Sequence, residues 1–384
     1  MKIGIMTYWW SNDNYGQILQ CYALQKYLRD AGHDAFLIRY RYGNDYESIP
    51  TPLFKKILKI FNPIKLFRFV LSKILHKYRM SYIAQERQNN EKRCFDDFRN
   101  KHIKVSETIY RYYAELKENP PKADMYIVGS DQVWNPDLYA SIERQSRAFF
   151  LDFGHPEVKR ISYAASICKE DLDIKFINII KPLLKKFDYI SVREKSGLNL
   201  CKQCEIDNAE WVPDPTMLLD ADAYRSLYKN ETFVKPEKPY CLFYFLGNNN
   251  IFSIQKIYDW AKKKNIEVLY IPAKMPINKY NKTYATIPQW IYLLEHAEYV
   301  ITNSYHCAVF SIIFNRKFGI IPLLNMQAVM NRRFETLFEL FKIEKRFIID
   351  LDFKILDKDI DRNIISEKLQ IIKSNCKLID LISK

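Results

Sequence analysis

Residues 299–318, YVITNSYHCAVFSIIFNRKF, decide how this chain is read. Tyr299 to Thr302 has the length and apolar character of a buried strand, and Ala308 to Phe314 supplies the apolar face of a helix. Between them lies a polar turn with one histidine. Ser304 is a helix cap by residue type, which places His306 at a helix N-terminus, where backbone N–H groups and the helix dipole favour an anion. A histidine packed beneath the loop is the plainer alternative.

The same step recurs on both sides. Lys2 to Thr7 reads as a strand, Gln17 to Ala31 as a helix closed by Gly32, and Ala35 to Tyr40 as a second strand, which together open an α/β domain. A polar helix is expected over Glu86 to Phe98. Strands follow at Met125–Val128, Arg160–Tyr163, Tyr189–Val192 and Glu210–Val212. A second series has strands at Tyr240–Leu246, Val268–Ile271, Tyr299–Thr302 and Gly319–Pro322, with helices such as Ile254–Lys264 and Gln289–His296 between them. Thr232 to Pro239, with two prolines, reads as the linker. The expectation is an α/β protein of two Rossmann-like doubly wound domains facing a cleft, over residues 1–231 and 240–384, the second carrying C-terminal helices. Ligands of such sheets sit beyond the carboxyl ends of the strands. Those ends carry Asn14 to Gly16, Gly129 to Asp131, Ala164 to Ser166, Arg193 and Glu194, Asp214, Gly247, and Ser304 to His306.

With 384 residues the chain has room for two or three domains, and 48% hydrophobic residues exclude a disordered class. The eight cysteines are scattered, with a single C-x-x-C at Cys201 and Cys204, and read as reduced thiols. The six histidines, at 33, 76, 102, 155, 296 and 306, show no ligand spacing, so no metal is expected. SNDNYGQ follows the first strand where a dinucleotide fingerprint would need G-x-G-x-x-G, which disfavours a dehydrogenase. The N-terminus turns polar too early for a secretory signal, and no apolar run is long enough to cross a bilayer, so a cytoplasmic location is expected.

The net charge is +14. Much of it is local, because Lys55, Lys56, Lys59, Lys65, Arg68, Lys73, Lys77 and Arg79 lie in a stretch, 52–85, without Asp or Glu. Phe54, Ile57, Leu58, Phe61, Leu66, Phe67, Val70 and Ile74 interleave with them. That pattern suits amphipathic helices on an anionic membrane, which would make the protein peripheral on the inner face of the cytoplasmic membrane. A solvated basic helix packed on its own domain is the alternative. Nucleic acid is disfavoured, since no binding motif accompanies the charge.

NYGQILQCYAL at 14–24, VGSDQVWN at 128–135, SYAAS at 162–166, SVRE at 191–194, PDPTMLL at 213–219 and TNSYHCAVFSIIF at 302–314 together resemble the polysaccharide pyruvyltransferase family. The resemblance covers about Met1 to Arg333 apart from the basic insertion. It implies a fold like that of GT-B glycosyltransferases and transfer of pyruvate from phosphoenolpyruvate to a sugar, often as a cyclic ketal, with no further cofactor. Ketal-forming members often carry Arg-x-His where Ser304, Tyr305 and His306 stand here. Arg193 matches the family's strand-end arginine, and Arg332 and Arg333 offer further cations.

Phosphoenolpyruvate carries a carboxylate and a phosphate, which call for guanidinium groups and backbone donors. On this reading His306 is the acid/base and Asp131 the supporting carboxylate. Donor binding falls to Arg193 of the first half and to Ser304, Tyr305, Arg332 and Arg333 of the second, and acceptor binding to Asn14, Tyr15, Gln17, Trp134 and Asn135 of the first. Each has a plainer reading: an Asx turn for Asp131, an ion pair with Glu194 for Arg193, a helix start for the arginine pair, core packing for Tyr15 and Trp134. The expected acceptor is a lipid-linked or polysaccharide-precursor hexose in surface polysaccharide synthesis, and a homo-oligomer is compatible with all of this. Two other functions fit the same features: a sugar-nucleotide-dependent glycosyltransferase, and a non-catalytic membrane-associated glycan-binding module.

Overall fold

The computed structural model of the chain describes residues 1–41, 80–139, 142–169, 171–247, 252–273, 278–324, 328 and 330–383. The basic stretch expected at 52–85 therefore lies, up to residue 79, outside the described residues. The first half is built on a parallel sheet of β1 (Lys2–Met6), β2 (Asp34–Tyr40), β3 (Val105–Tyr110), β4 (Met125–Val128) and β5 (Lys159–Ser162), in the order β3-β2-β1-β4-β5. β6 (Ser191–Val192) and β7 (Glu210–Trp211) pair in parallel and continue beyond β5 through bridges from Ile161 to Tyr189 and from Ala165 to Val192. The second half has β8 (Tyr240–Phe245), β9 (Glu267–Pro272), β10 (Tyr299–Thr302) and β11 (Lys317–Ile320) in the order β11-β10-β8-β9, again all parallel. The two doubly wound sheets expected from the sequence are both present.

Strands of a parallel sheet covered on both faces are apolar along their length rather than alternating. β4, MYIV, and β8, YCLFYF, are buried at every position for that reason. β3 was absent from the sequence reading. It is the edge strand, VSETIY, and leaves Glu107, Thr108 and Ile109 exposed, so no apolar run marks it. The polar helix expected over Glu86 to Phe98 is also divided: helical residues 80–91 end in a turn, Cys94 takes a left-handed φ of 49°, and a new helix spans Phe95–His102.

One apolar cluster runs from Ile3, Ile5 and Leu24 of the first half into Leu242, Trp290 and Phe310 of the second. Tyr15 stands at the junction. Its ring stacks on Trp290 with centroids 5.0 Å apart at 9°, and its hydroxyl donates to the Ala285 carbonyl at 2.6 Å. Such a ring pair contributes roughly 0.5–1.5 kcal/mol beyond the area it buries. Arg93 spans the same junction, donating to the Tyr15 hydroxyl and to the Pro272 carbonyl. At the far end of the chain, the helices Arg362–Ser374 and Leu378–Ser383 meet the first half, where Lys377 Nζ lies 3.0 Å from both carboxylate oxygens of Glu210. Among the described residues no helix is long and apolar enough to cross a membrane.

In each sheet the strand order reverses once, between β1 and β4 and between β8 and β10. Crevices open at such switch points, outside the carboxyl ends of the strands. The loops after β1, β4, β8 and β10 therefore define where to look.

Candidate active site

Those four loops line one cleft of about 220 Å³. The first half contributes Asn14, Asp131 and Gln132, and the second Leu246, Gly247, Asn303, Ser304, Tyr305, His306, Leu323, Met330 and Arg333. The histidine turn follows the sequence reading closely. Thr302 Oγ1 accepts from the Ser304 amide at 3.0 Å, and Ser304 Oγ caps the helix Tyr305–Ile313 by accepting from the Cys307 amide. Asn303 ties this turn to the end of β8, because its side-chain oxygen accepts from the Leu246 amide and its nitrogen donates to the Leu246 carbonyl.

His306 is held from both sides. A Cβ built on Gly16 would lie 2.4 Å from His306 Cβ and Nδ1, so only glycine at 16 lets the helix Tyr15–Asp30 approach the ring this closely. On the other side, His306 Nε2 lies 3.3 Å from Asp214 Oδ2. The Asp214 carboxylate is caged: Oδ1 accepts from the Thr216 amide at 3.0 Å and the Thr216 hydroxyl at 2.8 Å, and Oδ2 from Ser130 Oγ at 2.8 Å and Arg193 Nη1 at 3.1 Å. Burial alone would raise its pKa. His306, then Arg193 and the Thr216 amide, reverse that and hold it well below the usual carboxylate range.

Arg193 sits behind this carboxylate rather than in the cleft. Its side chain is fully buried, with Nε 3.1 Å from Glu194 Oε1 and Nη1 3.1 Å from Asp214 Oδ2 and 3.9 Å from Asp131 Oδ1. Its guanidinium carbon stands 4.7 Å from the Tyr305 ring centroid. Arg333 reaches the same ring, at 5.9 Å, from the helix Arg332–Phe341. It lines the cleft and is only 7% exposed, yet among the described residues it has no carboxylate or hydrogen-bond partner, and its Nε is fully buried. Burial, with Arg193 nearby, pulls its pKa down, against the opposing pull of Cys168, Glu194 and Asp131.

Asp131 also takes an unusual backbone. Its φ is 72°, in the left-handed region that Asp tolerates better than most residues, and its carbonyl accepts from the Ser166 amide. The preceding Gly129, at φ 114°, passes so near the Tyr163 carbonyl that a Cβ there would lie 2.2 Å from that oxygen.

The fold thus gathers Asn14, Asp131, Ser304, Tyr305, His306 and Arg333 around one cleft and places Arg193 directly behind it. Others are elsewhere. Tyr15 is fully buried at the junction of the halves and cannot stack on a sugar. Trp134 is likewise core: it stacks on Phe150 at 4.8 Å and donates to the Phe149 carbonyl. Gln17 accepts from the Ser11 amide, and Asn135 caps a short turn and donates to Gln132, so both side chains are spent locally. Arg332 is exposed and outside the cleft lining. Asp214, which links His306 to Arg193, was not among the expected site residues, although PDPT already marked its turn. Gln132, Asn303 and Glu194 were missed as well. Among the described residues no group of three or more His, Cys, Asp or Glu side chains is placed to hold a metal ion.

A model of the polysaccharide pyruvyl transferase family matches residues 14–323. No curated protein matches the chain. Among solved structures the chain is similar to UDP-GlcNAc 2-epimerase from Methanocaldococcus jannaschii in complex with UDP-GlcNAc and UDP, with 11% identity, a TM-score of 0.47, and 97% of this chain and 93% of that one covered. It is similar too to an alpha-glucosyltransferase in complex with UDP and a 13-mer DNA containing a HMU base, with 10% identity, a TM-score of 0.45 and both chains wholly covered. A third is UDP-GlcNAc 2-epimerase from Neisseria meningitidis bound to UDP-GlcNAc, with 10% identity, a TM-score of 0.43 and again complete coverage of both.

Proposed function

This chain belongs to the polysaccharide pyruvyl transferase family, and on that premise we propose that it transfers pyruvate from phosphoenolpyruvate to a hexose of a lipid-linked or polysaccharide precursor, closing a cyclic ketal. One observation carries the donor assignment. Arg333 lines the cleft beside His306, is buried, and among the described residues has no carboxylate at ion-pair distance, Glu194 and Asp131 acting on it only from farther away. A buried guanidinium without a counter-charge in contact is costly to keep, and a small anionic ligand reduces that cost. The N-terminus of the helix Tyr305–Ile313 adds backbone donors at the same place.

In the reaction the methylene carbon of the donor takes a proton, a sugar hydroxyl attacks the adjacent carbon, the carbon–oxygen bond to phosphate breaks, and a second hydroxyl closes the ketal. Two hydroxyl protons are released. One replaces the proton delivered to carbon, and the other leaves with phosphate. His306 is the group that exchanges these protons, since an imidazole ring can both accept and donate a proton and this ring lines the cleft. Asp131 and Asn14, on the opposite wall, hold acceptor hydroxyls. Arg193 helps to keep Asp214 ionised and in place rather than gripping the donor.

The test is acceptor-dependent phosphate release from phosphoenolpyruvate, with a panel of galactose- and mannose-ended lipid-linked acceptors, in the parent protein and in His306→Gln. Release that is lost in the variant supports the reading. A thermal shift with a nucleotide sugar and none with phosphoenolpyruvate would replace it by the glycosyltransferase reading. The lipid-linked acceptor rests on the eight unopposed basic residues of the 52–85 stretch. Deletion of residues 54–79 that leaves a folded protein with undiminished binding to anionic liposomes would remove that part.

A further inference from the structure

The geometry points to Asp214 as the residue that decides which nitrogen of His306 does the work: it holds Nε2 and leaves Nδ1 to exchange protons with substrate. The catalytic meaning of this assignment rests on the acid/base role proposed above for His306. The tautomer it requires does not.

Three observations lead there. Nε2 is fully buried, makes no aligned hydrogen bond, and among the described residues has one ion-pair contact, Asp214 Oδ2 at 3.3 Å. Nδ1, by contrast, lies against Gly16, makes no hydrogen bond among the described residues, and is not among the fully buried polar atoms, while the residue itself lines the cleft. Finally, the carboxylate is not free to turn. Thr216 anchors one oxygen through its amide and hydroxyl, and Ser130 and Arg193 anchor the other. A caged, ionised carboxylate accepts and cannot donate, so a neutral His306 carries its proton on Nε2 and presents the Nδ1 lone pair to the cleft. When Nδ1 takes a proton, the positive charge on the ring is balanced by Asp214 without any side chain having to move. That is the function of a positioning residue: Asp214 touches the histidine, not the substrate.

Gly16 belongs to the same arrangement. The missing side chain at 16 is what leaves Nδ1 a space, at the first turn of the helix Tyr15–Asp30. Because Gly16 comes from the first half and His306 from the second, the working nitrogen lies where the two halves face each other.

The measurement is ¹⁵N NMR of the full chain labelled at histidine, with the His306 signals identified by their loss in His306→Gln. We expect the Nε2–H tautomer for neutral His306 in the parent protein. In Asp214→Asn the amide can present its NH₂ to Nε2, so the population shifts toward Nδ1–H, and kcat falls by about 10²–10⁴-fold with KM for the donor within about threefold, the pattern for replacing an orienting carboxylate by its amide. Should Asp214→Asn fail to fold, Thr216→Val, which frees Oδ1 from one of its two anchors, is expected to broaden or mix the tautomer signals. An Nδ1–H tautomer in the parent overturns the inference, as does an Asp214→Asn protein with unchanged ¹⁵N shifts. These outcomes stand apart from the identity of the donor: a protein inert toward phosphoenolpyruvate but with His306 protonated on Nε2 would refute the proposed function and leave the positioning role intact.

Discussion

Arg193 and Arg333 stand over the same tyrosine ring and are both buried, but the first is in contact with carboxylates, while the second, among the described residues, has none at ion-pair distance. The first half of the molecule brings Asp131, Glu194 and Asp214 to the site, and the paired Arg193 belongs to them. The second half brings His306 and Arg333. Burial alone therefore does not tell a ligand-binding cation from a structural one; the state of its partners does.

The largest effect should come from the proton-exchanging group. His306→Gln keeps the packing against Gly16 and is expected to lower turnover by about 10²–10⁴-fold while leaving the thermal midpoint nearly unchanged. Next comes the contrast between the arginines, where the same substitution should act with opposite sign. Arg193→Met strands Glu194 and Asp214 in the interior and should cost about 3–5 kcal/mol in denaturant unfolding. Arg333→Met removes a buried charge that has no ion-pair partner among the described residues, so stability should hold or rise, while kcat/KM for the donor falls by about 10²-fold through KM. Equal destabilisation by both substitutions would erase the distinction.

A smaller effect concerns acid. Asp214 has its folded-state pKa depressed, so the unfolded chain binds more protons than the native one as the pH drops below about 4, and the stability this group contributes is present above that pH and lost beneath it. Asp214→Asn should therefore show a shallower loss of stability between about pH 5 and pH 3 than the parent in urea titrations at stepped pH. The smallest change is Tyr15→Phe. It removes the hydroxyl that donates to Ala285 and accepts from Arg93, and a cost of about 1–2 kcal/mol is expected with activity retained. A large loss of activity with unchanged stability would reopen Tyr15 as a substrate contact.

Much of this was legible in the sequence because short-range pattern determined it. The strand at Tyr299–Thr302, the Ser304 cap and the helix behind it depend on neighbours a few residues away, and they stand where periodicity and capping place them. β3 escaped because an edge strand needs no apolar run. Tyr15 and Trp134 were misjudged because an aromatic beside a polar turn looks the same in sequence whether it meets a sugar or another ring. What settles the matter for Tyr15 is Trp290, contributed by the other half. Asp214 was quoted within a motif yet not assigned a task, since PDPT signals only a turn, and the contact with His306 joins distant parts of the chain. Arg193 shows a subtler limit. Its place after a buried strand was readable, but the direction of its side chain depends on its neighbour Glu194 and on carboxylates brought in by two other loops.

The apolar cluster that passes from β1 through Tyr15 to Trp290 and Phe310 has a consequence for how the molecule comes apart. Two-domain chains commonly melt in separate steps, each core dissolving by itself. Here neither half can lose its interior without exposing residues of the other, and the C-terminal helices tie them a second time. Heat should melt the protein in one cooperative transition, with the calorimetric enthalpy matching the van't Hoff value for the whole chain rather than for either half.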